Sequence, residues 1–131
     1  MIFLGQANIL TIGLNGKTNV FSNLPMNLIN VQDAAHAVQY IKTEHIDAVV
    51  CNWDLPDMPN GIFLKKLRAL KPQIKTIVIV KAGNTNEEIS ARCIGASAVL
   101  TDHSSKSLLR QTVIDALRLH EYTPADMANK D

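Results

Sequence analysis

No acidic residue stands before Asp33 in this chain of 131 residues, and neither sign of charge dominates it. Thirteen Lys and Arg face twelve Asp and Glu, a formal net charge of +1. So balanced a chain lacks the strong field with which a domain gathers nucleic acid or an anionic membrane. Cysteine is scarce as well. Cys51 and Cys93 lie far apart and form no CxxC pair. That excludes a disulfide framework and predicts buried thiols in a reducing compartment, hence a cytoplasmic protein. Long apolar runs are missing, and none approaches the ~20 residues that a membrane helix needs. The opening Met1-Ile2-Phe3-Leu4 lacks the basic stretch of a signal peptide. There is no internal repeat and no low-complexity segment, and the length suits one domain.

What the chain does have is an alternation of short apolar runs and helical spacings. Residues 46–61, IDAVVCNWDLPDMPNG, are the stretch around which the rest is arranged. The Val-rich run reads as a strand buried on both faces of a parallel sheet. Two prolines and Gly61 then force a loop. Phe63, Leu64, Leu67 and Leu70 recur at helical spacing, and Lys71-Pro72 ends that helix. Open α/β sheets place their sites at such strand ends. Further strands are expected at 8–14, 26–31, 75–81 and 96–101. Asp33 caps a helix whose Ala34, Ala37, Val38 and Ile41 face inward. Thr85 to Glu88 reads as a capping box for a helix reaching Ile94, with Gly95 just past its end. Ser104 or Ser105 caps a last helix carrying Leu108, Leu109, Val113, Leu117 and Leu119 on its apolar side. Residues 15–25 offer only Val20, Phe21 and Leu24 to bury, which predicts a shortened first helix of one or two turns, or an irregular loop. The expectation is one α/β domain over 1–120, a doubly wound five-stranded parallel sheet, with a tail or linker at 121–131.

Around position 52 the sequence resembles the phosphoacceptor segment of response regulator receiver domains, apolar-apolar-Asp-x-x-Met/Leu-Pro-x-Met-x-Gly. Pro56 and Met58 align, and Gly61 falls one residue late. Gly95-Ala96-Ser97 before the fifth strand is similar too. The resemblance spans roughly residues 8–120 and implies the flavodoxin-like strand order 2-1-3-4-5. It also implies a site, and here the sequence departs from the family. Asn52 stands where the family carries its phosphorylated aspartate, and an amide has no anionic oxygen to attack a phosphoryl group. The family's Mg²⁺ is held by an acidic pair after strand one. This chain reads Gly13-Leu14-Asn15-Gly16 there, without a carboxylate for a hard cation. Lys81, followed by Ala82, stands in place of the Thr or Ser ending strand four. Asp102 stands in place of the lysine ending strand five, His103 in place of its proline, and Val99 in place of an aromatic residue.

The resemblance therefore implies a degenerate member, a pseudo-receiver, with no enzymatic activity, no metal and no cofactor. Its expected role is that of a phosphorylation-independent interaction module in phosphorelay signalling. Expected partners are a signalling protein or its own output domain, with a homodimer possible, and not nucleic acid or membrane. Receivers commonly pair through the fourth helix, fifth strand and fifth helix. Here that points to Asn86, Glu87, Ser90, Val99, Lys106, Arg110 and Gln111.

Other residues admit different readings. Residues 13–18, GLNGKT, imitate a Walker A loop and 49–54 a Walker B strand, which would make a small nucleotide- or ligand-binding domain. Thr11 stands where that motif's first Gly belongs, so the amide cradle is incomplete and a turn with a solvated Lys17 is the simpler account. Asp54 is an alternative phosphoacceptor, although Asp54 and Asp57 also read as plain loop residues. His36, His45, His103 and His120 share no metal-ligand spacing. Trp53 is expected to be a half-covered loop residue. Lys81 and Asp102 end neighbouring strands about 4.8 Å apart, so an ion pair between them is expected to fill the vacated site.

Overall fold

The computed structural model describes residues 7–14, 21 and 26–121, with side chains through residue 117. The strands are β1 (Asn8–Ile12), β2 (Asn27–Val31), β3 (Ala48–Asn52), β4 (Lys75–Val80) and β5 (Ala98–Thr101). The helices are α1 (Ala34–Thr43), α2 (Ile62–Leu70), α3 (Thr85–Ile94) and α4 (Lys106–Glu121). All strand pairs are parallel, and the sheet order is β2-β1-β3-β4-β5. This is the flavodoxin-like doubly wound sheet.

The strand sequences explain how the sheet is covered on both faces. Side chains alternate across a strand. Leu10 and Ile12, Val49 and Cys51, and Val78 and Val80 point to one face, where they meet Ala37, Val38 and Ile41 of α1 and Phe63, Leu64 and Leu67 of α2. Ile9, Ala48, Val50, Ile77 and Ile79 point to the other, against Leu109, Val113, Ala116 and Leu117 of α4 and Phe21. The three central strands are therefore apolar at consecutive positions because neither face sees water. Each large aliphatic or aromatic side chain buried here contributes about 1.5–3 kcal/mol.

The strand and helix ends differ from the sequence reading in instructive ways. β1 stops at Ile12, because Gly13 turns to φ +64° and its N–H goes to Val31 O at 3.1 Å. α3 is capped by Asn84, whose Oδ1 accepts the Glu87 N–H at 3.1 Å, so Thr85 is already helical and the expected capping box does not form. On α4, Ser105 Oγ accepts the Leu108 N–H at 3.0 Å. Leu108 itself is 47 % exposed and belongs to the outer face, contrary to its place in the expected apolar stripe. Cys93 is likewise exposed rather than buried. The expected short helix at 15–25 lies outside the described residues apart from buried Phe21. The expected tail starts one residue too early, at Glu121 within α4, and otherwise lies outside them too, as does the side chain of Leu119.

Candidate functional site

At the carboxyl edge of the sheet β3 ends at Asn52, half-buried and in register with Ile79 of β4. A Cβ on Gly13 would lie 3.9 Å from the Asn52 amide nitrogen, so the end of β1 and position 52 are immediate neighbours. The next residue, Trp53, donates its N–H to Ile79 O at 2.8 Å. Trp53 is only 8 % exposed and part of the core, not the half-covered loop residue expected. The six-membered ring of its indole abuts Gly61, whose N–H returns to Trp53 O at 2.9 Å. Gly61 has φ +76°, and any Cβ there would overlap the ring, so glycine is required twice over.

Between these two residues the loop is tied by its own acids. Asp54 Oδ1 accepts the Asn60 N–H at 2.8 Å, and Leu55 and Met58 exchange main-chain bonds of 3.4 and 3.1 Å. The Asp57 carboxylate leaves the loop altogether. Its two oxygens take the N–H groups of Ala34 and Ala35, each at 3.0 Å.

Lys81 and Asp102 extend β4 and β5 on adjacent strands, and both line one cleft with Asn52, Trp53, Asp54 and Glu87. The cleft holds about 260 Å³. The expected Lys81–Asp102 ion pair does not form. Asp102 Oδ1 instead accepts the Ala82 N–H at 2.8 Å, and Glu87 Oε1 accepts the Lys81 N–H at 3.1 Å. Those amides are already fixed by the fold, whereas ordering a lysine stem costs up to about 2 kcal/mol of rotamer entropy. Asp54, Glu87 and Asp102, the three acids lining the cleft, thus each accept a main-chain N–H.

No cluster of three or more His, Cys, Asp or Glu side chains suited to a metal occurs among the described residues. Asn15 lies outside them.

The residues expected to form an interaction surface lie on α3, β5 and α4. Val99 packs toward the core face shared with α3, while Ala98 and Leu100 pack toward α4. Asn86 is exposed on α3, and Glu87 and Ser90 are half-buried; Lys106 and Gln111 are exposed on α4, and Arg110 is half-buried. Reading the sequence missed two neighbours, Ile89 and Leu108, 54 % and 47 % exposed. For Ile89 the signal was its position one turn after Asn86, on the same outer face of α3.

The other singled-out residues have structural roles. Thr11 is fully buried and donates its hydroxyl to Asn30 Oδ1 at 2.7 Å, so it helps to hold β1 to β2. Of the Walker-like stretch, Gly13 and Leu14 are described and residues 15–18 are not. His36 Nδ1 lies 2.7 Å from Asp33 Oδ1, and His45 Nε2 lies 2.9 Å from Asp47 Oδ1. The His103 N–H goes to Thr101 Oγ1, and the His120 side chain is outside the described residues. The His36 main-chain N–H, then the His36 side chain, hold the Asp33 carboxyl below its usual value. Burial pushes the Cys51 thiol up to about 12.

With this geometry in hand, comparison with known proteins is direct. The family model of the response regulator receiver domain matches residues 14–114. Solved structures similar to this chain include a CheY-like receiver domain protein from Methanospirillum hungatei JF-1, with a TM-score of 0.79 at 18 % identity over 88 % of this chain and 96 % of that one. The receiver domain of a Francisella response regulator gives 0.80 at 19 %, over 88 % and 100 %. The receiver domain of an HD domain-containing protein from Pseudomonas fluorescens Pf-5 gives 0.79 at 21 %, over 88 % and 97 %. Comparison with curated protein sequences finds no match. Receiver domains are signalling modules of phosphorelays, generally not enzymes, and they act through protein partners such as output domains. No helix among the described residues is long and apolar enough to cross a membrane. On the family match the conclusion is plain: this chain belongs to the response regulator receiver domain family.

Proposed function

We propose that this receiver domain is a phosphorylation-independent protein-interaction module, a pseudo-receiver working in cytoplasmic phosphorelay signalling. The observation that carries the reading is Asn52 at the end of β3, where the family's phosphoacceptor segment calls for an aspartate. A carboxamide cannot attack a phosphoryl group. Two further facts support it. The three acids lining the cleft are bonded to main-chain N–H groups, and Asp102 stands where a phosphoryl group would need a cation. The face formed by α3, β5 and α4 is the surface proposed for the partner. Ile89 and Leu108 supply exposed apolar area there, and every residue of β5 is half-buried.

The test is incubation with acetyl phosphate and Mg²⁺ followed by intact-mass measurement. The mass is expected to stay unchanged, and Asn52→Asp alone is expected to stay unmodified as well. The substitution supplies an acceptor but neither metal ligands nor a cation at position 102. A stoichiometric phosphoryl adduct on any aspartate of the unmutated protein overturns the reading.

A further inference from the structure

Asp57 sits at the exposed tip of the loop after β3, yet both of its oxygens are used by a helix that begins 23 residues earlier. The first N–H groups of a helix have no partner within it. In α1 three of these are met by carboxylates. Ala34 and Ala35 donate to Asp57 at 3.0 Å, and His36 donates to Asp33 Oδ1 at 2.9 Å; Ala37 then makes the helix's own first bond, to Asp33 O at 3.3 Å. Two of the three caps thus arrive from the loop and one is local. Two carboxylates at one helix start suit the positive end of its dipole. Besides Asp57, the loop tip is held by Met58, which is half-buried against the core. Pro56 and Pro59 carry no N–H, and the Asp54–Asn60 and Leu55–Met58 bonds all lie within the loop. Asn60 and Gly61, at φ +57° and +76°, mark where the tip rejoins α2.

We propose that Asp57 is a latch that closes the loop after β3 onto the amino end of α1. The core anchors Trp53 and Leu55 fix the root of the loop, and the latch, beside the core contact of Met58, fixes its tip. Loop tip and helix start then behave as one unit, so a protein that engages either of them meets a surface set by the other. The latch is independent of any chemistry at Asn52: it stands whether or not the domain accepts a phosphoryl group.

The experiment is amide exchange and chemical-shift mapping by NMR on the intact chain, Asp57→Ala and Asp57→Asn. With Asp57→Ala, exchange at Ala34 and Ala35 is expected to quicken about tenfold or more, the scale of losing an N-terminal cap. The Met58 and Asn60 resonances should move at the same time, while those of the edge strand Ala98–Thr101, two strands away from β3, stay in place. Asp57→Asn keeps the shape and one acceptor oxygen and should give a smaller change of the same kind. It carries the test by itself should Asp57→Ala fail to fold. Faster helix exchange with Met58 and Asn60 unmoved would reduce Asp57 to a simple cap and overturn the latch. Unchanged exchange at Ala34 and Ala35 would overturn it too.

Discussion

Two thiols of one sequence can differ completely in reactivity, and here the fold separates them. Cys51 is buried in β3 with its thiol pushed up to about 12, whereas Cys93 is exposed on α3. Since the thiolate is the reacting species, the native protein is expected to give one rapid equivalent with a thiol reagent and the second only on unfolding. Two rapid equivalents would mean that β3 opens easily. The burial of Cys51 was legible from its apolar strand. The exposure of Cys93 was not, because α3 carries so few apolar residues that its inward face is poorly marked. Lys81 and Asp102 show another limit of residue-level reading. Strand neighbourhood was inferred correctly, and both residues line the cleft. The preference of a carboxylate for a preordered amide over a flexible lysine depends on loop geometry that no spacing rule contains.

Among the elements, the loop-to-helix step from β3 into α2 was the most legible, because Pro56, Pro59 and Gly61 each have a backbone meaning. What remained hidden was the reason for Gly61, which is the indole of Trp53 lying upon it. Gly61→Ala is therefore expected to cost about 2–4 kcal/mol in urea unfolding, from left-handed strain plus the forced displacement of the ring. Gly83→Ala provides the control. It has φ +83° but nothing within 4 Å of a new Cβ, so only the backbone part, about 1 kcal/mol, should appear. Equal losses at the two positions would show that the Trp53 contact contributes nothing. The helix caps were half-read. Asp33 was evident before α1, and Asn84 was passed over for Thr85 because both are capping residues one position apart.

For the molecule as a whole, alternation of strands and helices revealed the class, but the order β2-β1-β3-β4-β5 came from the family pattern and not from periodicity. Periodicity says which residues are buried, not which strand lies beside which. Trp53 is the only tryptophan and belongs to the core cluster on the α1 and α2 face, while most of the helical signal is spread over both faces. Its fluorescence and the far-UV circular dichroism are expected to report one coincident transition in denaturant. Separated midpoints would show that the two faces of the sheet unfold independently. The four acids around the carboxyl edge, Asp54, Asp57, Glu87 and Asp102, also set the direction in which such a chain can evolve. Each accepts main-chain N–H groups. A descendant that placed an aspartate at position 52 and diverted one of them to a cation would uncap the backbone there. Where that cap starts a helix, the loss is about 1 kcal/mol, against a whole-domain stability of about 5–15 kcal/mol. Several coordinated substitutions would be needed before any gain appeared, so this edge is far easier to keep as it is than to convert into a cation site.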